Sequence, residues 1–306
     1  MLPVADLSQL QGKTVLVVGA RGFLGQHLVT ALTRFEARVV GVSRGAPTAQ
    51  AGPNGVEWRR CDASDPDQVS AVFRDARPDI VYNLTSDSQG GRDVSLVRDS
   101  VRNDVVATTN VLVEAVRHHV KRVVIPGSFE EPRGNAADAV PASPYAAAKW
   151  VSSSYARMFS ALYGLPITIL RLMMTYGPGQ KDYKVIPYTI RTLLAGETAR
   201  LASGERMLDW VYVDDVTDAF LRAGVCPVTE LKAIDIGTGQ AVRLRDLLSL
   251  VGELVGRSDL LSFGDVPDRP MEREEVANTS DALLKLGWSS RTSLREGLMR
   301  TIEAYL

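Results

Sequence analysis

The chain has 306 residues, of which 45% are hydrophobic and 23% are charged, and its net charge at pH 7 is −1. This balance is ordinary for a soluble globular protein and gives no electrostatic reason to expect a nucleic acid or an anionic membrane as partner. The two cysteines, Cys61 and Cys226, lie far apart and predict neither a disulfide framework nor a metal site. We find no secretory signal and no apolar run long enough to cross a bilayer, and therefore expect a cytoplasmic protein.

Short apolar, β-branched runs alternate with longer amphipathic stretches through the first half of the chain. The predicted strands are residues 14–18, 38–42, 56–60, 80–84, 122–125 and 167–170. The predicted helices between them are residues 23–34, 67–74, 100–118 and 144–163. This alternation predicts an α/β fold in which helices cover both faces of a doubly wound parallel Rossmann sheet.

The alternation ends after residue 172, where a loop rich in glycine and proline begins. Further helices are predicted at residues 188–195, 216–223, 244–255 and 294–304, and "LDWVYV" and "AIDIGTG" indicate two more strands. We expect a dinucleotide-binding Rossmann domain and a smaller C-terminal substrate-binding lobe. The domain would comprise residues 1–175 and about 207–240, and the lobe about 176–206 and 241–306.

A glycine-rich turn follows the first predicted strand. Gly19, Gly22 and Gly25 stand between that strand and the first helix, which begins with Phe23 and Leu24. Glycines at this spacing allow a tight turn and a close approach of the backbone to a pyrophosphate, which the N–H groups of the helix can bind. These five residues are predicted to bind a dinucleotide.

The end of the second predicted strand indicates which dinucleotide is bound. An acidic residue there would hydrogen-bond the ribose 2′-hydroxyl of NAD, but this chain has Ser43 and Arg44. Arg21, within the glycine turn, can reach the same place. Two guanidinium groups and a hydroxyl suit a phosphate better than a diol, so we predict NADP(H), with NAD as the alternative.

Two further strand ends are expected to contact the cofactor. Asp62 and the backbone of Ala63 follow the third strand, where an adenine amino group can be read. Asn83, Leu84 and Thr85 lie at the carboxyl edge of the sheet, where open α/β folds bind their ligands. Either group could instead simply end its strand.

A serine, a tyrosine and a lysine form the predicted catalytic set. Ser128 ends the fifth strand, and Tyr145 and Lys149 lie one turn apart on the helix that follows. A phenol is a poor acid or base at neutral pH, and a nearby ammonium is expected to lower its pKa. Ser128 can hydrogen-bond a substrate oxygen on which charge develops.

The chain resembles the extended short-chain dehydrogenase/reductases that act on nucleotide sugars. The resemblance rests on these sequence motifs, given in chain order: "GARGFLG", Ser128 at its strand end, "YAAAK", "LRLMMTYGPGQ", "DWVYVDDV", "DIGTGQ" and "LGW". It implies that Tyr145 is the general acid/base, that Lys149 binds the nicotinamide ribose and tunes the tyrosine, and that Ser128 orients the reacting oxygen. It also implies a homodimer formed by the helix that carries Tyr145 and by the helix at residues 100–118.

Two departures from the family pattern concern the substrate diphosphate. Members commonly have Asn where this chain has Met174, and Arg where it has Leu208. Arg206 and Arg269 are candidate replacements, although each could be a solvated loop charge. The substrate could also carry an unusual nucleotide or none.

An acidic pair, Glu130 and Glu131, follows Ser128 closely. Sugar 4,6-dehydratases of this family carry an acidic pair there, which protonates the leaving hydroxyl and removes a C5 proton. The match is imperfect, because Phe129 occupies the place of the acid in this chain. Glu130 is the catalytic candidate, and either Glu130 or Glu131 could be the carboxylate that serves a dehydratase. A loop or sugar-hydroxyl contact is the competing interpretation.

From these features we predict an NADPH-dependent ketoreductase that reduces a nucleotide-linked keto-deoxysugar, most simply at C4. The alternative is a nucleotide-sugar 4-epimerase or 4,6-dehydratase with a tightly bound cofactor. A third reading is a non-catalytic NADP-binding regulator, but such proteins often lose the tyrosine or the lysine, and both are present.

Overall fold

A computed structural model describes residues 5–45, 53–133, 138–226 and 233–306. The strands are β1 Thr14–Val18, β2 Arg38–Ser43, β3 Val56–Arg60, β4 Ile80–Asn83, β5 Arg122–Ser128, β6 Ile167–Leu172, β7 Met174–Tyr176, β8 Ala199–Leu201, β9 Met207–Tyr212, β10 Ile234–Ile236, β11 Ala241–Arg243 and β12 Leu261–Phe263. The α-helices are α1 Phe23–Leu32, α2 Pro66–Ala76, α3 Leu96–Ser100, α4 Ala107–Arg117, α5 Pro144–Tyr163, α6 Val185–Leu194, α7 Val213–Val225, α8 Leu244–Val255, α9 Thr279–Leu286 and α10 Leu294–Glu303. Within these described ranges, no helix is long and apolar enough to span a bilayer.

Seven strands form one sheet in the order β10-β6-β5-β4-β1-β2-β3. The neighbouring pairs from β6 to β3 are parallel, which confirms the predicted Rossmann sheet. The chain runs outward from β1 to β3 and then returns to pair β4 with the other side of β1. The carboxyl ends of β1 and β4 therefore form the switch point at which open α/β sheets bind ligands.

The core of this sheet explains why its strands read as continuous apolar runs. Residues 15–18 of β1 are all buried, because helices cover both faces of a parallel sheet. On α2, the apolar side chains Val69, Val72, Phe73 and Ala76 repeat at helical spacing and are buried in the same core. Burial of each large apolar side chain stabilises the fold by about 1.5–3 kcal/mol.

The chain packs as two compact units. The first comprises Met1–Leu172, Thr217–Asp235 and Asp281–Trp288, and it contains the large sheet except for Ile236, the last residue of β10. The second comprises Met173–Val216, Ile236–Ser280 and Ser289–Leu306. It contains a three-stranded sheet, β11-β9-β7, and the parallel pair β12-β8. β9, which the sequence led us to group with the dinucleotide-binding residues, belongs to this second unit.

The buried carboxylate of Asp209 organises the second unit. Its Oδ1 accepts hydrogen bonds from the backbone N–H and the hydroxyl of Thr238, at 2.8 and 2.7 Å. Its Oδ2 accepts from the N–H groups of Gly239 and Ala277, at 2.9 and 3.0 Å. Two of the motifs that carry the family resemblance therefore meet here, and the role of this aspartate is structural.

One predicted helix has a different form. Residues 100–118 were expected to form a single α-helix, but the helical stretch begins at Leu96 and has π-helical geometry over Val101–Val106. Such wide turns within α-helices frequently occur at functional sites. The strands β8, β11 and β12 have three residues each, which is too short for an alternating pattern to predict them.

Candidate active site

The turn between β1 and α1 can be built only with glycine at two positions. Gly19 has φ +82°, and a Cβ there would lie 2.9 Å from the carbonyl carbon of Leu84. A Cβ on Gly25 would lie 2.3 Å from the carbonyl oxygen of Gly19. The turn is therefore packed tightly between the helix and the end of β4, as a site for a dinucleotide requires.

The first turn of α1 leaves backbone donors available beside these glycines. Gly22 is the N-cap residue and makes no side-chain capping bond. The N–H groups of Phe23, Leu24 and Gly25 belong to the first turn, where an α-helix offers them no internal acceptor. Together with the positive end of the helix dipole, they fit the pyrophosphate of a dinucleotide.

The structure brings both predicted arginines to the end of β2. The Arg21 guanidinium lies over the Trp58 ring, 5.9 Å from its centroid, and its Nη1 is 3.4 Å from where a Cβ on Gly45 would stand. Arg44 donates a hydrogen bond of 3.1 Å from Nη1 to the Asn103 side chain. The Ser43 hydroxyl donates to the carbonyl of Gly45 at 3.4 Å. Two cations thus lie beside the strand end where an acidic residue would read a ribose diol.

The two groups expected to read the adenine are already bonded within the protein. The Asp62 carboxylate accepts hydrogen bonds from Ser64 and pairs with Arg102, whose Nη2 lies 2.5 Å from Oδ2. The carbonyl of Ala63 accepts a hydrogen bond of 3.0 Å from the Asn110 side chain. Arg102 and Asn110 were not predicted from the sequence, because they lie 40 or more positions away on the helical stretch of residues 96–117.

Asn83 shapes the turn that follows β4. Its side chain is buried, and Oδ1 accepts hydrogen bonds from the N–H and hydroxyl of Thr85, at 3.3 and 2.7 Å. Its Nδ2 donates to the Thr108 hydroxyl at 3.1 Å. The N–H of Leu84 donates to the carbonyl of Val18, so the turn stays attached to β1. All the polar groups of the Asn83 side chain therefore contact the protein itself.

Ser128 and Tyr145 come together at the carboxyl end of β5. Ser143 caps α5 by accepting a hydrogen bond from the N–H of Ala146, and Pro144 occupies the first turn, so the helix begins just before the tyrosine. The Tyr145 hydroxyl is hydrogen-bonded to the Ser128 hydroxyl. The predicted pair of hydroxyl groups is therefore formed.

The electrostatic surroundings of Tyr145 differ from the expectation. Burial of its hydroxyl raises the pKa of Tyr145 above its ordinary value, and the carboxylates of Glu130 and Asp104 raise it further. The hydrogen bond from Ser128 opposes these effects. A lowered pKa was expected from the nearby lysine alone. That expectation was wrong for these surroundings, because the sequence did not reveal the burial and the acidic groups around the phenol.

Lys149 is buried and faces an acidic residue that the sequence analysis missed. Its Nζ lies 3.7 Å from Oδ1 of Asp104, and both side chains are almost fully buried. A signal was present in the sequence. Asp104 has helical spacing to the buried residues Ala107, Thr108 and Val111, so a carboxylate stands in an otherwise buried stripe.

The two glutamates after Ser128 have different surroundings. Glu131 is buried, and its Oε1 accepts a hydrogen bond of 2.6 Å from the N–H of Ser128. Glu130 is half-buried; its N–H donates to Ser128 Oγ at 3.2 Å, and its Oε2 accepts from the Ser143 hydroxyl at 3.3 Å. Phe129, which stands between Ser128 and Glu130 in the sequence, is buried. Glu130 is thus the one of the two carboxylates with access to the surface.

The two arginines proposed for the substrate lie in the second unit. Arg206 pairs with Glu272 at 2.9 Å, and its Nη2 donates to the carbonyl of Arg273 at 2.6 Å. Arg269 lies in an exposed loop. Leu208, where the family resemblance led us to expect an arginine, is buried in β9 opposite Val242. Arg206 is therefore held by an internal ion pair and Arg269 is exposed to solvent.

The part of the chain that the structure describes contains no cluster of three or more His, Cys, Asp or Glu side chains that could hold a metal ion. Cys61 and Cys226 are both buried and free. Burial raises the pKa of the Cys61 thiol to about 11, and the carboxylates of Asp62 and Asp65 act in the same direction. Cys61 is therefore an inert core residue.

Comparison with known proteins identifies the family. The profile of the NAD dependent epimerase/dehydratase family matches residues 15–237, which include the glycine turn, Ser128, Tyr145 and Lys149. The chain belongs to this family. It is thus an extended short-chain dehydrogenase/reductase and a nicotinamide-dependent enzyme, and the alternative of a non-catalytic regulator is not supported.

Individual relatives span nearly the whole chain. UDP-glucose 4-epimerase of Mycolicibacterium smegmatis is 30% identical over 95% of this chain and 97% of its own length. The crystal structure of UDP-glucose 4-epimerase from Thermotoga maritima, with UDP-glucose, covers 95% of this chain and 98% of its own, with 26% identity and a TM-score of 0.87. The dTDP-glucose 4,6-dehydratase of Streptomyces venezuelae, solved with NAD bound, covers 95% and 96%, with 25% identity and a TM-score of 0.83.

These similarities bear on the expected reaction. The relatives are epimerases and dehydratases of nucleotide sugars, so they favour the alternative named in the sequence analysis over the ketoreductase. They support a nicotinamide dinucleotide as cofactor without selecting NADP, and a nucleotide sugar as the class of substrate.

Proposed function

We propose that the protein is a nucleotide-sugar 4-epimerase that works with a bound NAD(P) and consumes no reductant. The observation that carries this proposal is the hydrogen-bonded pair of Ser128 and Tyr145, with Lys149 one turn further on, at the sheet edge that also carries the glycine turn. This set contains what the reversible oxidation of a sugar hydroxyl requires, and it lacks an acid at position 129.

Each residue has a distinct role in this proposal. When bound, the nicotinamide ring supplies the hydride acceptor and donor. Tyr145 takes the proton from the C4 hydroxyl and later returns it, with the sugar presenting its opposite face. Ser128 hydrogen-bonds the same sugar oxygen and keeps it within reach of Tyr145. Lys149 binds the nicotinamide ribose, and its positive charge stabilises the phenolate of Tyr145 once the proton has moved.

A 4,6-dehydratase is the less favoured candidate. Elimination across C5 and C6 needs an acid for the leaving hydroxyl and a base for the C5 proton. Phe129 has no proton to give, and Glu131 is engaged with the N–H of Ser128. Of the two glutamates only Glu130 is accessible. We propose that its carboxylate, which accepts the hydrogen bond from the Ser143 hydroxyl, contacts a sugar hydroxyl.

The cofactor preference rests on the end of β2. We propose NADP(H), with NAD as the alternative, because Arg21 and Arg44 lie near Gly45 and can pair with a 2′-phosphate. The same preference would suit a ketoreductase, which draws NADPH from a pool. The ketoreductase therefore remains the second candidate for this site.

The nucleotide of the substrate would bind outside the catalytic set described above. We propose that the second unit binds the nucleotide, with Arg206 and Arg269 as candidate contacts to its diphosphate.

We further propose a homodimer, because Val97, Val101 and Tyr155 are exposed on adjoining helices of the first unit and a second copy would cover them. Light scattering after size exclusion tests this; a monomer at micromolar concentration contradicts it.

A product assay tests the reaction. The purified protein is incubated with UDP-, dTDP-, GDP- and CDP-glucose without added reductant, and the products are resolved by NMR. A 4-epimer supports the proposal, whereas a 4-keto-6-deoxy product assigns the chain to the dehydratases. If no sugar changes unless a keto-sugar and NADPH are supplied together, the protein is the ketoreductase.

A further inference from the structure

Asp104 is the most deeply buried carboxylate around the proposed catalytic set. It lies in the π-helical segment Val101–Val106, with none of its surface exposed. Its Oδ2 accepts a hydrogen bond of 3.1 Å from the N–H of Asp87, and the Ser86 hydroxyl also hydrogen-bonds this carboxyl group. Oδ1 has no hydrogen-bond partner and faces the ammonium of Lys149 at 3.7 Å. The carboxylate thus lies between the loop after β4 and the lysine of α5.

An isolated charge at this depth would be strongly unfavourable, so the two groups need each other. Burial raises the pKa of the Asp104 carboxyl, and the ammonium of Lys149 opposes that effect. Glu131 is a second buried carboxylate on which the Lys149 charge acts, and Arg171 acts on it as well. A buried ammonium beside two buried carboxylates is attracted by both charges and has little freedom to move.

We propose that Asp104 is a positioning residue, whose carboxylate holds the Lys149 ammonium in its working place and ties it to the loop that follows β4. This inference rests on the proposed function, because Lys149 there serves Tyr145 and the cofactor ribose. Asp104 itself contacts neither the substrate nor the reacting atoms.

The packing of the helices supports this assignment. The π-helical segment packs directly against α5, so the acidic residue and the lysine approach each other from two adjoining elements. Because Oδ2 accepts the hydrogen bond from the Asp87 N–H, a rotation that withdraws Oδ1 from the ammonium would break that bond.

A double-mutant cycle on unfolding tests the pairing without any assay of turnover. The variants are Asp104→Asn, Lys149→Met and both together, compared by urea unfolding at pH 7.5. Asparagine keeps the shape and the acceptor for the Asp87 N–H but removes the charge. Asp104→Asn deprives the ammonium of its nearest carboxylate and Lys149→Met deprives the Asp104 carboxylate of its ammonium, whereas the double variant removes both charges of the pair. Glu131 is present in all four proteins, so its contribution is common to the cycle.

Each variant changes the unfolding equilibrium constant by some factor. We expect the product of the two single-variant factors to exceed the factor for the double variant by at least about tenfold. Asp99→Asn removes an exposed charge from the adjoining helix α3 and, combined with Lys149→Met, should be additive within about twofold. Additive behaviour of Asp104→Asn would show that the two groups do not act as a pair and would overturn the proposal.

The pH profile of turnover gives a second readout that a merely structural residue would not move. The titratable and charged groups facing this pair are Asp87 after β4, Glu131 after β5, Tyr145 on α5, and Arg171 on β6 through Glu131. With Asp104→Asn the other groups remain, whereas the ammonium loses its nearest anion and Tyr145 loses one of the carboxylates that raise its pKa. The pH at which turnover falls on the basic side of the profile should then be lower than in the wild type by about one pH unit or more. In the Asp99→Asn variant this pH should equal that of the wild type.

The two proposals can fail separately. If the wild-type protein turns over no sugar nucleotide, the proposed function fails while the unfolding cycle still decides whether Asp104 holds Lys149. If turnover is found and the basic limb of Asp104→Asn coincides with that of the wild type, the positioning role is refuted and the proposed function stands.

Discussion

Glu131 accepts a hydrogen bond of 2.6 Å from the backbone N–H of Ser128, so its carboxylate is fixed behind the strand end that carries the catalytic hydroxyl. Gly127 makes room for it, since a Cβ at that position would lie 2.9 Å from Glu131 Oε1. The Ser153 side chain also hydrogen-bonds Glu131. This carboxylate therefore supports the end of β5 and is not placed to remove a proton from a sugar.

The buried position of Glu131 predicts a pH-dependent stability. Burial raises the pKa of Glu131, and the hydrogen bond from Ser128 and the charge of Lys149 oppose this only in part. A raised folded-state pKa adds stability that is fully present below the unfolded value near 4.5 and is lost as the pH rises through the folded value. Lowering the pH from 8 to 5 should therefore favour the wild type over Glu131→Gln.

We expect this relative gain to be on the order of 1 kcal/mol in urea unfolding. Glu197→Gln, at an exposed position, provides the control and should change in parallel with the wild type. A constant difference between Glu131→Gln and the wild type over this pH range contradicts the assigned burial effect.

Tyr145→Phe removes the proton donor and keeps the ring. We expect kcat to fall by about 10²- to 10⁴-fold while KM for the sugar nucleotide changes little. The reason is that the hydroxyl transfers its proton in the transition state and adds little to binding of the substrate. Tyr163→Phe on the same helix is the matched control, since that residue is 56% exposed. Comparable activity of the two variants would exclude Tyr145 as the acid/base.

Gly25→Ala tests the glycine turn as the dinucleotide site. The added Cβ would lie 2.3 Å from the carbonyl oxygen of Gly19, so α1 must move away from β1. Overpacking of this kind costs about 1–3 kcal/mol, and we expect a lower Tm and no thermal stabilisation by NAD(P)H. Gly22→Ala should be milder, because its Cβ would lie 3.2 Å from the same oxygen. Equal stabilisation of Gly25→Ala and the wild type by the cofactor would place the site elsewhere.

Arg21→Ala and Arg44→Ala test the cofactor preference. If the two guanidinium groups bind the 2′-phosphate, each substitution should weaken NADPH binding by about tenfold, since charge-assisted hydrogen bonds are worth 1.5–3 kcal/mol. NADH binding, followed by the same fluorescence titration, should change less than about threefold. Arg74→Ala on the exposed face of α2 is the control. Equal weakening of both cofactors would favour NAD.

Local signals were enough to predict much of this fold. Helix α5 begins at Pro144, after the capping residue Ser143, and is followed by Gly164 with φ +64°. Each of these features depends only on neighbouring residues. The glycine turn is equally local. The run of motifs from Gly19 to Trp288 was specific to the family, because its members share these turns and strand ends in the same order.

The sequence by itself determined the α/β class, the family and the presence of Ser128, Tyr145 and Lys149, because periodicity, turn residues and motif spacing are written along the chain. Only the tertiary structure decided the charges around these residues. Asp104 approaches Lys149 from a separate helix across 45 positions, and Glu131 turns back to the N–H of Ser128. Whether a carboxylate is buried, and beside which partner, depends on contacts between distant segments, which no local pattern specifies.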